Sequence, residues 1–373
     1  MQKPQSQPQS QPQQPTLRFS NEQDILLREA LNTAAKDYLF SQNDHRYANS
    51  GMYLKLGLLL VLCIGFYCCA LFQQSAYLFS LYYFMFSSLA LLLAINVVHD
   101  ASHNVFFKSS NANTWLNRLI TIPLGIDPEC WRIRHVVQHH PFTNIEHYDL
   151  DIEYNGVLRQ TPFQVHHWFM CYQHYYWPLV AGMTFPAIIW WFDWQDRLGL
   201  NFNKNKFTHH GIVGWFAFLV IKALHVSLAI VIPVYICPQF SLWFILIVYG
   251  LSQFFASLIF VILILGTHWA KATFYQAPEH GLMPHGSIQH VFNTTLNWRL
   301  KFPILEYWLG GLNLHLTHHI YPGFSHRHYL HLTKIIQQIA KQYQIDYHEI
   351  TLYELFVQQQ VFLKKMGKAQ RMD

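Results

Sequence analysis

Charged residues are scarce in this sequence of 373 residues: Asp, Glu, Lys and Arg make up only 12% of it, against about one quarter in soluble domains. The net charge of +5 is too small to indicate binding to nucleic acid. The six cysteines show no paired metal-binding spacing and predict no disulfide framework. Apolar residues instead reach 52% and aromatic residues 17%. This composition predicts an integral membrane protein with aromatic rings near the lipid interface.

Four segments are long and apolar enough to cross a bilayer, which takes about 20 helical residues each. They are 52–72, 76–98, 211–236 and 241–267, and we expect them to form two hairpins. The linker inside each hairpin contains no Lys or Arg, whereas the N-terminal tail, the long middle segment and the C-terminal region hold nearly every positive charge. By the positive-inside rule these three regions are predicted to be cytoplasmic.

The N-terminal part divides by composition into a tail and a helix. Residues 1–20 repeat Gln, Pro and Ser and contain no apolar h-region, so they predict a disordered tail and no signal peptide. Residues 21–50 predict an amphipathic helix, because Ser20 and Gln23 form a weak capping box ahead of apolar residues at helical spacing. Residues 51–350 are then expected to form the membrane domain, and 351–373 a C-terminal tail.

Two further apolar stretches, 115–126 and 175–194, are predicted to lie half-buried in the interface. The second is about as long as a span, but it is interrupted by Pro178 and Pro186 and is rich in Tyr and Trp. If it crossed the bilayer, the histidines near the C-terminus would lie on the opposite side from those near residue 100. The expected fold is therefore an all-α integral membrane protein, with four spans, interfacial helices and a cytoplasmic helical cap.

Eight of the 24 histidines fall into three clusters beside apolar sequence. The clusters are His99 and His103; His135, His139 and His140; and His315, His318 and His319. Spacings of three or four residues turn imidazoles onto one face of a helix. Because the predicted topology brings all three clusters to the cytoplasmic side, we interpret them as parts of one metal site.

Imidazole ligands alone are compatible with zinc, copper, iron or nickel. A zinc ion takes three or four protein ligands, so eight histidines indicate two ions, and an oxygen-activating diiron centre fits that number. Two other classes of function remain open. Metal transporters place ionisable ligands near the middle of their spans, and a bis-histidine haem needs two axial ligands and leaves most of these histidines unexplained.

Three motifs carry a resemblance to a known family. "HDASHNVFF" (99–107), "HVVQHHPFTNIEHYDLDI" (135–152) and "GGLNLHLTHHIYP" (310–322) resemble the three histidine boxes of the membrane fatty acid desaturase and hydroxylase family. The chain is most similar to bacterial acyl-CoA or acyl-lipid desaturases that resemble front-end desaturases, over roughly residues 50–350. "HVFNTTLNW" (290–298) resembles the family segment that supplies one further histidine ligand.

The resemblance implies a non-haem enzyme that uses two iron ions, O₂, two electrons and two protons to introduce a cis double bond into an acyl chain. The implied metal ligands are His99, His103, His135, His139, His140, His290, His315, His318 and His319. His268 is a weaker candidate that we expect to be structural. Groups that hydrogen-bond to the outer ring nitrogen orient such imidazoles, and the candidates are Asp100, Asn144, Asp151 and Glu306, with Asp149 also available. Trp131 and Arg132 are candidates for contact with the acyl headgroup.

The chain departs from the front-end pattern at His315, where front-end enzymes typically have Gln, and it has no fused cytochrome b5 sequence. Electrons are therefore expected from a separate ferredoxin or cytochrome b5 type protein that docks on the basic cytoplasmic face. The resemblance implies a fatty acyl-CoA or membrane lipid substrate and a location in a bacterial inner membrane. A hydroxylase or monooxygenase of the same scaffold, acting on an alkane, carotenoid or sphingoid lipid, is the alternative.

Overall fold

The structure is a computed structural model that describes residues 16–20, 24–200 and 211–368. The predicted disordered tail lies outside the described residues except for 16–20, and so do residues 21–23, which include Gln23 of the predicted capping box. Within the described chain the secondary structure is mainly helical, and two short parallel strand pairs complete it. The predicted all-helical class is confirmed.

The elements follow in chain order. Before the gap at residue 201 they are β1 (Arg18–Phe19), α1 (Ile25–Ser41), α2 (Ser50–Leu71), α3 (Ala76–Ser102), α4 (Ser110–Ile120), α5 (128–142), α6 (Gln173–Gly182) and α7 (184–197). After it they are α8 (Gly211–Ile236), α9 (Leu242–His268), β2 (Leu282–Met283), α10 (Ser287–Thr294), β3 (Asn297–Arg299), α11 (Pro303–Trp308), α12 (His315–Ile320), α13 (Tyr329–Gln342), β4 (Glu349–Thr351) and α14 (Leu352–Met366). Short 3₁₀ turns form at Leu150–Ile152, Trp168–Tyr172 and His326–His328.

The four predicted spans are confirmed as helices long and apolar enough to cross a membrane: α2, α3, α8 and α9. Three of them begin at a polar cap, because the side chains of Asn49, Ser75 and Ser241 each accept a hydrogen bond from a backbone N–H of the first turn. Helix α3 packs against both α2 and α9. The histidines at the ends of α3 and α9 are thereby brought close together.

The strand pairs attach the two ends of the chain to the histidine-bearing segments. Strand β1 pairs in parallel with β2, and Leu17 beside it packs on Ile145, Tyr148 and Met283. Strand β3 pairs in parallel with β4, which leads directly into α14. Helix α1 buries one apolar face against α13, as its amphipathic pattern predicts.

Residues 351–368, which belong to the segment predicted as a tail, pack against the rest of the protein, and 369–373 lie outside the described residues. Thr351 and Glu354 form a reciprocal capping box that starts α14. Leu363 of this helix is fully buried, and Phe362 stacks on Trp269 at a centroid distance of 5.6 Å. The predicted boundary is corrected because apolar residues recur on one face of this helix, which packs beside α6 and α9.

Candidate metal centre

Four segments of the chain bring eight histidines into two adjacent groups. The first group consists of His99, His103, His135 and His318, and the second of His139, His268, His315 and His319. In each group, one ring nitrogen from every histidine lies within 4.8 Å of the others. The first predicted cluster contributes to the first group, and the second and third clusters contribute to both.

In the first group the Nε2 atoms point at one another. The Nε2 atom of His318 lies 3.0 Å from that of His99 and 2.8 Å from that of His140. His140 in turn has its Nε2 atom 3.2 Å from that of His135. We therefore count His140 with the first group, although it is the immediate neighbour of a member of the second.

The second group has the same arrangement around His315. Its Nε2 atom lies 2.8 Å from that of His268 and 3.3 Å from that of His319. The carbonyl of Thr294 lies 3.1 Å from Nδ1 of His268. Because a carbonyl only accepts, Nδ1 carries the proton and Nε2 of His268 presents a lone pair to the group.

A π-helical turn explains how the second box serves both groups. Residues Ile133–His139 of α5 are π-helical, and such a turn brings residues i and i+5 together. His135 and His140 are five residues apart and face each other in the first group, while His139 points into the second. Helix α3 contains a further π-helical turn, Ala94–Val98, immediately before His99. π-Helical turns are rare and frequent at functional sites.

The donor set fits a bound metal. Burial, with repulsion from neighbouring imidazoles, lowers the pKa well below the usual 6.5 for His135, His140, His315, His318 and His319. These rings are therefore neutral, which is the form that binds metals. Two ring nitrogens at about 3 Å can share a hydrogen bond only where one of them carries a proton, whereas a cation among them would bind every lone pair of the group. Nε2 of His103 is buried without a hydrogen-bond partner.

Several outward-facing Nδ1 atoms are held by hydrogen bonds, as metal-binding imidazoles require. The Nδ1 atom of His318 lies 2.8 Å from the Tyr329 hydroxyl, and that of His139 lies 3.0 Å from Oδ1 of Asp149. Burial alone would lower the pKa of His139, but the carboxylates of Asp149 and Asp151 raise it to about 9. These carboxylates make the imidazole of His139 the most basic of the set and orient its Nε2 toward the second group.

Of the predicted supporting residues, Asp151 and Asn144 lie beside the second group. Oδ2 of Asp151 is 3.3 Å from Nδ1 of His139. The side-chain amide of Asn144 donates to the carbonyl of His268 at 2.9 Å. Asp149 makes the closer contact with His139 and also accepts from the backbone N–H of Asn144 at 2.8 Å, so it is the more direct support.

Asp100 lies close to the first group of histidines, whereas Glu306 does not. Asp100 is buried, accepts a hydrogen bond from Ser325 at 2.7 Å and lies 4.0 Å from Nδ1 of His99. Glu306 accepts from the backbone N–H of Leu300 at 3.0 Å. The structure therefore places Asp100 behind the first group and Glu306 outside both groups.

His268, and not His290, lies among the converging histidines. Nε2 of His290 lies 2.7 Å from the carbonyl of Thr143, its Nδ1 lies 2.9 Å from Nε2 of His285, and the residue belongs to neither group. His268 lies in the second group. One sequence signal could have identified His268, since it ends the span α9 much as His99 lies near the end of the span α3.

A cavity of about 640 Å³ leads to the histidines from the side of α7. Its walls include four site residues, His99, His135, His139 and His315. Beyond them it is lined mainly by apolar side chains of α3, α7 and α9, among them Leu91, Val98, Phe185, Ile188, Phe260 and Ile264. Trp131 also lines it and stacks on His135 at 5.1 Å, whereas Arg132 donates to the carbonyl of Ser102. The cavity is suited to an apolar chain that passes the two groups.

A family model for fatty acid desaturases matches residues 75–351. The chain belongs to the fatty acid desaturase family. It is 26% identical over 354 residues to an sn-1 linoleoyl-lipid 6-desaturase of Synechocystis sp., covering 92% of this chain and 96% of that protein. It is 24% identical over 335 residues to an acyl-lipid (8-3)-desaturase of Physcomitrium patens, covering 89% of this chain and 69% of that protein. This desaturase is thus an oxidoreductase that introduces double bonds into fatty acids.

Proposed function

We propose that this desaturase removes two vicinal hydrogens from an acyl chain of a membrane lipid at a centre of two iron ions. The proposed ligands of one ion are His99, His103, His135, His140 and His318, and those of the other are His139, His268, His315 and His319. The set differs from the one that the resemblance implies because His268 takes the place of His290. One observation carries the proposal: the cavity is lined mainly by apolar side chains and reaches histidines of both groups.

The two irons would supply the oxidant, formed with O₂ and two electrons, that takes hydrogen from an unactivated methylene. The protein has to hold the chain at a fixed depth, because a methylene offers no polar handle. Leu91 and Val98 of α3 and Phe185 and Ile188 of α7 contribute apolar walls of the cavity. These walls exclude water from the histidines and let only the methylenes level with the two groups react.

Exposed apolar residues at the rim of the cavity support a lipid-bound substrate. Val157, Met183 and Leu200 line the cavity and are also exposed, with Leu200 at 60%. An apolar rim suits entry of a chain from the bilayer. Both named relatives are acyl-lipid desaturases. We therefore favour an acyl-lipid over an acyl-CoA thioester and retain the cis geometry of the product as part of the proposal.

We also propose that the centre lies on the cytoplasmic side of the membrane. The linkers 72–75 and 237–241 contain no Lys or Arg, whereas Lys108, Arg118 and Arg132 lie between the first two boxes. A separate ferredoxin or cytochrome b5 type donor would reach the centre from this side, where basic residues favour an acidic carrier.

Lipid profiling of cells that express the wild-type chain or His318→Ala tests this function. The wild-type chain is expected to produce a lipid with one added double bond, and His318→Ala none, because His318 bridges His99 and His140 in the first group. His331→Ala, at an exposed residue of α13, is the matched control and should retain the product. A product that gains oxygen would support the hydroxylase alternative, and a product from His318→Ala would contradict the proposed centre.

A further inference from the structure

We propose that His290 is a positioning residue that fixes the turn after the second histidine box, and that it binds no metal. The inference rests on the proposed metal centre but assigns His290 a role that the sequence motif does not. It starts from the turn at Thr143 and Asn144, which directly follows the helix that carries His139 and His140.

Both ring nitrogens of His290 are engaged in hydrogen bonds. The carbonyl of Thr143 can only accept, so Nε2 of His290, 2.7 Å away, donates its proton there. A neutral imidazole has one N–H, so Nδ1 of His290 accepts from Nε2 of His285 at 2.9 Å. Burial lowers the pKa of His290 to about 4, which keeps the ring in this neutral form. To bind a metal, the ring would have to give up one of these bonds.

The turn that His290 holds is connected to the second group of histidines. The hydroxyl of Thr143 donates to the carbonyl of His139 at 2.9 Å and lies 3.4 Å from Nδ1 of His319. Asn144 has a φ of 57°, a left-handed conformation that non-glycine residues adopt only where the surroundings hold it. Its backbone N–H donates to Asp149, the carboxylate that orients His139. A shift of this turn would therefore move His139 and His319, two proposed ligands of the second ion.

His290 is itself held in place by the N-terminal strand. The ring of Phe19 lies 5.0 Å from that of His290, and the ring of Tyr275 lies 5.1 Å from it on centroid distances. Asp24 is buried and accepts from the backbone N–H of Ile288 at 2.6 Å, which anchors the first turn of α10. The position of the ring is thus set by the fold around it, as a positioning role requires.

Two substitutions of His290 separate positioning from metal binding. Gln at this position keeps an N–H that can donate to the carbonyl of Thr143, whereas Leu keeps the apolar volume and has no donor. We expect His290→Leu to lose about 10–100-fold in metal affinity or activity, the usual effect of removing an outer support of a metal site. His290→Gln should recover most of this loss. His315→Gln, at a proposed ligand, provides the reference for loss of a ligand, and metal content per chain is measured together with desaturation.

The other outcomes overturn the inference. If His290→Gln loses metal to the same extent as His315→Gln, His290 is a ligand; if His290→Leu behaves like the wild-type chain, it positions nothing. Hydrogen exchange of residues 143–149 gives a readout independent of metal and activity, and it should be faster in His290→Leu than in His290→Gln. A wild-type chain that binds no metal would contradict the proposed centre, and the exchange comparison would still decide the role of His290.

Discussion

Asp149→Asn removes the charge that orients His139 and keeps the size of the side chain. Asp149 is fully buried and accepts hydrogen bonds from Nδ1 of His139 at 3.0 Å and from the backbone N–H groups of Asn144 and Asp151 at 2.8 and 3.0 Å. The single side-chain oxygen of the introduced Asn cannot face all three of these donors, so the NH₂ group of the introduced Asn must face the remaining one. The substitution therefore removes a charge-assisted bond and leaves a buried donor unsatisfied.

The expected loss follows from the strength of a hydrogen bond to a charged group, roughly 1.5–3 kcal/mol. Since about 1.4 kcal/mol corresponds to a tenfold change in affinity, Asp149→Asn should weaken metal binding about 10–100-fold. Competition with a chelator measures this affinity, and lipid profiling measures the activity. Asp346→Asn, at a side chain 86% exposed, is the matched control and should behave like the wild-type chain. Wild-type metal affinity in Asp149→Asn would refute the orienting role of the carboxylate.

Three further predictions concern other parts of the chain. His268→Ala should remove the metal ion of the second group and abolish desaturation, and elemental analysis of metal per chain checks it. Lys222→Met should cost about 3–5 kcal/mol in thermal unfolding, because it leaves Asp193, 2.7 Å from the ammonium, without its buried counter-ion; adding Asp193→Asn should restore part of the loss. Burial and the charge of Arg327 lower the pKa of His328 to about 4, below the 6.5 of an unfolded histidine. The unfolded state then binds more protons in this window, so stability should fall from pH 6.5 toward 4, less steeply in His328→Gln.

Hydropathy and charge predicted the parts of the fold that the bilayer dictates. A span needs a continuous apolar helix, so α2, α3, α8 and α9 could be identified from composition alone. The end of the chain was predicted less well, because the signal of α14 is weaker than that of a span. Its packing on Trp269 and its capping box distinguish it from a solvated tail.

The histidine spacing predicted most of the histidines in the two groups, but not which of them lie side by side or which residues contact them. On a regular α-helix, His139 and His140 point in different directions, and only the π-helical turn of α5 explains how His135 and His140 meet. The hydroxyl of Tyr329 lies 2.8 Å from Nδ1 of His318. The two residues are 11 positions apart on different helices, so no helical spacing predicts this contact. His268 stood alone in the sequence, so its contact with His315 became visible only in three dimensions.

The buried polar contacts of segment 175–194 explain how one site can form from distant boxes. Two residues before the segment, the side chain of Gln173 accepts a hydrogen bond from the backbone N–H of Arg159 at 2.9 Å and donates one to the carbonyl of Arg159 at 3.1 Å. At the end, Asp193 accepts from the backbone N–H of Asp127 at 2.8 Å. Arg159 and Asp127 flank the second box in one continuous stretch of chain. Because a crossing helix has its ends on opposite faces of the bilayer, these contacts favour the interfacial position predicted for the segment, and this position would let the third box reach the first two.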